Sequence, residues 1–129
     1  MPEFIVVSSV KFEIVLPATY KVDPTDPTAT PQFVQLTEVC QYLEDMTVKY
    51  GPYGGYTISN PFAPPPFAGG YQGESPERNF WVMLIMPDHL LEQATQDILQ
   101  MVRYFQEKYH QIEILCYSYH VNWYRPSTS

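Results

Sequence analysis

The sequence is poor in charge, and poorest in positive charge. Charged residues make up 16% of the 129-residue chain, against about 25% in an average protein. Seven Lys and Arg face 14 Asp and Glu, so the formal net charge is −7. Nucleic acids and anionic membranes select for positive charge, so neither is an expected partner. The seven bases form no stripe, and no RNP-type basic and aromatic motif is present. Cysteine is scarce as well. Cys40 and Cys116 stand alone, too few for a disulfide framework. Each falls within an apolar pattern, so two reduced, buried thiols are expected. No CxxC or Cys/His spacing exists, and His89, His110 and His120 do not form a ligand set, so no metal is expected. His89 and His110 would stand at opposite ends of one helix. No apolar run approaches the eighteen or so residues of a membrane span. The first residues carry no basic segment and no cleavage site, so no secretory signal is read and a cytoplasmic location is expected. Gly-x-Ser-x-Gly, P-loop and dinucleotide fingerprints are missing, so no catalytic residue and no cofactor is assigned.

What the chain has in excess is proline and aromatic side chains. There are 13 Pro and 11 Tyr, and aromatics reach 16%. Hydrophobic residues stand at 45%, which is normal for a packed domain and excludes wholesale disorder. The prolines cluster. One group falls within 17–31 and another within 60–78, so two long loops are expected inside one domain spanning 1–129.

Between the loops the hydrophobic periods are regular. Phe4, Val6, Val10, Phe12, Ile14 and Leu16 share one parity, which predicts a strand. Lys11 and Glu13 lie on the other parity, together with Ile5, Val7 and Val15. Thr30-Pro31 looks like a helix cap, and Val34, Leu36, Val39, Cys40, Leu43, Met46 and Tyr50 recur at helical steps. Gly51-Pro52 stops that helix. Tyr56–Ser59 predicts a short strand. Phe80–Met86 is apolar on both parities, as in a central strand. Asp88 suits an N-cap, and Leu91, Ala94, Ile98, Met101, Val102, Phe105 and Tyr109 line one face of a second helix. From Ile112 to Tyr124 alternation returns, with Leu115, Tyr117, Tyr119, Val121 and Trp123 opposed to Ile114, Cys116, Ser118, His120 and Asn122.

Strand, helix, strand, strand, helix, strand is the ferredoxin-like βαββαβ plan, an α+β fold with two helices on one face of a four-stranded antiparallel sheet. From Thr47 onward the chain also resembles an uncharacterised bacterial family of short ferredoxin-like domains. Tyr50, Gly55-Tyr56-Thr57, Gly70, Gly73-Glu74 and Arg78 carry the likeness. So do the strand into Met86-Pro87-Asp88 and the helix end Tyr104 to Gln111. The insertion Phe62–Phe67 and the first strand depart from the family pattern. The resemblance implies the fold and no activity.

Helices on one face leave the other face apolar, and such a surface marks an interface. A homo-oligomer, dimer or higher, is expected, with a protein partner as a further occupant. A small-molecule binder or enzyme with a pocket under the 60–78 loop is the alternative, and the sequence does not discriminate them. Its lining would be Glu74, Arg78, Tyr71, Tyr117, Tyr119 and His120: a carboxylate beside a guanidinium, with tyrosines offering contact area and a polar handle.

Overall fold

Among the described residues a main antiparallel sheet, a small two-stranded sheet and two helices build the protein. The computed structural model describes residues 3–59, 68–69 and 77–127. In chain order the elements are β1 (Phe4–Pro17), β2 (Thr19–Tyr20), β3 (Gln32–Phe33), α1 (Leu36–Thr47), β4 (Tyr56–Ile58), β5 (Ala68–Gly69), β6 (Glu77–Pro87), α2 (Leu91–Lys108) and β7 (Leu115–Pro126). The sheet order is β4-β6-β1-β7, with β5 also pairing β6. β1 runs antiparallel to both neighbours: Phe12 stands opposite Leu84 on one side and Ser118 on the other. This is the ferredoxin-like arrangement. The two long apolar strands are central, as the two-sided hydrophobicity of Phe80–Met86 requires.

Strand periodicity decides which face meets the helices. Val10, Phe12, Ile14 and Leu16 of β1 and Phe80, Val82 and Leu84 of β6 are buried against Val39 and Leu43 of α1 and Ile98, Met101 and Phe105 of α2. The 3.6-residue period of each helix supplies these partners from one stripe. Phe4 and Val6 share the core parity of β1 yet are exposed. They pair only with Pro126 and Tyr124 of β7, beyond the point where Ser9 meets Pro87. The β1–β7 ribbon therefore projects past β6.

Two caps differ from the sequence reading. α1 starts at Leu36, and no side chain caps it. The Thr30-Pro31 cap does not form because the chain is still extended there. Gln32 and Phe33 pair with Tyr20 and Thr19, and the Val34 N–H donates to the Ala18 carbonyl. Asp88 does not cap α2 either. It opens a short 3-10 turn, 88–90, and its carboxylate accepts the Ser8 hydroxyl at 2.6 Å. The loop expected over 17–31 holds β2 and joins it to β3 just beyond, with Asp23 and Asp26 each turning the chain by accepting the N–H two residues on. The cysteines are free and half-buried, less enclosed than expected. Burial still pushes the Cys116 thiol up.

α1 ends at Thr47, earlier than the stop expected at Gly51, and a 3-10 segment over 48–53 follows, kinked at Gly51. Gly51 adopts φ 59°, a conformation that glycine takes at little cost. Gly54 is required for space: a Cβ there would stand 2.0 Å from the Thr47 carbonyl oxygen. Between them the turn sets Tyr53 beside the end of the sheet.

Candidate functional site on the sheet face opposite the helices

The parity opposite the core makes the second face of the sheet. β6 contributes Trp81, Met83 and Ile85, β1 contributes Lys11, Glu13 and Val15, and β7 contributes Leu115, Tyr117 and Tyr119. No described helix packs on this side. At its centre lies a charge pair inside an apolar surround. Lys11 Nζ stands 3.5 Å from Glu13 Oε1. Register explains the company they keep. Glu13 faces Tyr117 across β7 and Met83 across β6, while Lys11 faces Tyr119 and Ile85. The charges thus sit between an aromatic strand and an aliphatic one.

Glu13 is only 8% exposed, although its face carries no described helix. The hydrogen bond from the Tyr117 hydroxyl, then the Lys11 charge and Tyr119, hold its carboxyl below the usual range against the cost of burial. The same bond works in reverse on the phenol. It leads the causes that push Tyr117 up to about 12. Lys11 is raised chiefly by its hydrogen bond to Tyr119, and its ammonium lies 5.8 Å from that ring. At neutral pH the cluster therefore holds a carboxylate, an ammonium and a protonated phenol. Tyr117 and Tyr119 stack at 6.3 Å and remain 38% and 42% exposed. The arrangement offers charge, hydrogen bonding and flat aromatic area to a ligand or a protein surface.

Of the six residues named from sequence, the structure brings two together here, Tyr117 and Tyr119. His120 follows them on β7 and pairs with Val10, so it belongs to the parity facing the helices. Arg78 pairs through its backbone with Ala68. Tyr71 and Glu74 lie outside the described residues, as does most of the 60–78 loop. Lys11 and Glu13 are not among the six, because alternation alone places them on the second parity of β1 and gives them no partner. The available signal was their company: two charges sharing a parity with Ile5, Val7 and Val15.

Two further clusters lie away from this site. At the end of the sheet, the Arg125 guanidinium lies 4.6 Å from the Tyr53 ring and 4.9 Å from Trp123, and His89 meets the Tyr53 ring edge-on at 5.5 Å. On the helical side, Asp97 accepts hydrogen bonds from Tyr50, Lys49 and Gln93. There a groove of about 310 Å³ is lined by Tyr42, Asp45, Met46, Lys49, Asp97 and Gln100. Among the described residues no group of three or more His, Cys, Asp or Glu could hold a metal ion. No described helix is long and apolar enough to cross a membrane.

No protein-family model and no curated protein matches the chain. A solved structure, a phage SAM lyase in its apo state, is similar with a TM-score of 0.53 and 11% sequence identity, over 95% of this chain and 90% of that one. Similarity at that identity is a likeness of fold.

Proposed function

We propose that the chain is a homo-oligomeric binding module that works through the face of its sheet opposite the two helices. One observation carries this reading. A face with Trp81, Met83, Ile85, Leu115, Tyr117 and Tyr119 carries no helix among the described residues, and Leu115, Tyr117 and Tyr119 are exposed. Apolar surface of that kind is kept where something covers it. The net charge of −7 speaks against nucleic acid as the cover. Native mass spectrometry of the protein purified from its source tests the reading, because it reports oligomeric state and retained ligand together. A dimer or larger ring is the expected result. A bare monomer at micromolar concentration would overturn it.

A second reading, a small-molecule binder or enzyme, rests on the Lys11–Glu13–Tyr117 cluster. An ionised carboxylate beside a phenol and an ammonium is a set that can hold and move a proton. The similar phage protein is a SAM lyase, so S-adenosylmethionine is the first ligand to try. The loop over 60–78, with Tyr71, Glu74 and Arg78, would complete such a pocket. Titration calorimetry with S-adenosylmethionine, followed by chromatography of the mixture, checks it. Binding that is lost in Glu13→Gln supports this reading; neither heat nor consumption sinks it for this ligand.

A further inference from the structure

We infer that a second copy of this chain docks along the free edge of β7, strand against strand and antiparallel, so that two sheets become one. This rests on the homo-oligomer reading above and names where the copies meet. β7 is the last strand of the sheet order, and among the described residues it pairs only with β1. It is twelve residues long, and none of its residues is buried. The opposite edge, β4, has three residues.

Long free edges are normally blunted by lysine, by internal proline, by inward charge or by shortness, because they are templates for another strand. β4 has the last of these protections. β7 has almost none. From Leu115 to Tyr124 it carries no Lys, Asp, Glu, Arg or Pro, and Arg125 and Pro126 come only at its end. All 14 acids lie elsewhere in the chain. Two copies that each carry −7 repel, and the repulsion is smallest where they meet across an acid-free strand. The alternative of stacking two open faces is disfavoured by Lys11 and Glu13. It would bury two ion pairs under a second sheet, each losing its remaining water.

Edge pairing also extends the site. An antiparallel strand paired with its own copy has a two-fold axis perpendicular to the sheet, and cross-strand partners share a face. Tyr117 and Tyr119 of both copies then form one aromatic strip, flanked by the two Lys11–Glu13 pairs. The binding face is complete only in the dimer.

The test combines hydrogen exchange with two variants. In the wild-type protein, β7 amides are expected to gain protection as concentration rises, in step with a monomer-to-dimer change in mass by native mass spectrometry. Ser118→Lys with Asn122→Lys places like charges along the edge, on exposed positions outside the Tyr117 and Tyr119 parity. It should leave the circular dichroism unchanged and yield monomer. Thr57→Arg lies on the open face opposite Met83, away from β7, and should remain a dimer. A dimer that survives the lysine pair, dissociates with Thr57→Arg and shows no β7 protection would overturn the edge docking and keep the homo-oligomer. A wild-type monomer would overturn both. Should the lysine variant fail to fold, the wild-type exchange pattern alone decides.

Discussion

Glu13 shows how one residue can make a strand face more than a hydrophobic surface. Its carboxylate is tied to Tyr117 on the neighbouring strand, and the tie shifts both groups in opposite directions. The signs give opposite pH windows. The lowered carboxyl contributes stability that is complete above its ordinary value near 4.5 and is lost as pH falls below it. The raised phenol contributes stability below its ordinary value of 10.0, lost as pH rises through about 12. In Glu13→Val the leading cause of the phenol shift, the acceptor of its hydrogen bond, is gone. Tyr117 should then titrate closer to 10.0, its ordinary value. A phenolate difference titration against Tyr117→Phe, in both backgrounds, reads this; an unmoved Tyr117 would mean that burial alone raises it. Gly54 gives a second residue-level expectation. A methyl there meets the Thr47 carbonyl oxygen, whereas Gly55 has open space around it. Gly54→Ala should cost roughly 1–3 kcal/mol, as overpacking does, and Gly55→Ala should stay within about 0.5 kcal/mol. Urea unfolding of the two variants compares them directly. Equal costs would show that the turn, and not the close approach, sets the requirement.

At the scale of elements, α1 and α2 are joined at one end by a polar clamp over an apolar interior. The buried Tyr109 donates its hydroxyl to Glu38 at 2.9 Å, and Lys108 pairs with the same carboxylate at 2.9 Å. Lys108 first, then Tyr109, lowers the Glu38 carboxyl. The clamp is therefore whole above pH about 4.5 and opens as pH falls through the lowered value. Tyr109→Phe should cost about 1 kcal/mol, the net worth of one hydrogen bond, and should weaken the acid dependence of stability. Phe105→Ala, in the core between the same elements, should cost about 3–5 kcal/mol with the acid dependence intact. Thermal unfolding of both variants at pH 7 and pH 4 separates the two roles. The apolar halves of these elements were legible in the sequence, because period 2 and period 3.6 are properties of the chain itself. Both helix starts were not. The chain before α1 is held extended by β2 and β3 at long range, and Asp88 is drawn to Ser8 on another strand. Cap chemistry is local, and distant partners outbid it. The site was half legible for a similar reason. Tyr117 and Tyr119 announced themselves by alternation, but Lys11 and Glu13 became site residues only through a register with β7 that no single strand encodes.

At the scale of the whole molecule, charge and shape point the same way. The chain has few charges, most are negative, and the strand left open at the sheet edge has no acid. Association along β7 would therefore join two −7 bodies through a nearly neutral seam. The attractive part of such a contact, backbone pairing and aromatic burial, barely responds to salt. The repulsive part acts between acids spread over the rest of each surface, and it is screened. The Debye length falls from about 30 Å at 0.01 M to about 8 Å at 0.15 M ionic strength. Dimerisation should thus strengthen severalfold across that range. An interface built from ion pairs would do the reverse, weakening as salt is added. Sedimentation equilibrium at the two ionic strengths distinguishes them. A dissociation constant that rises with salt would place the contact at a charged surface such as the helices, away from the aromatic strand.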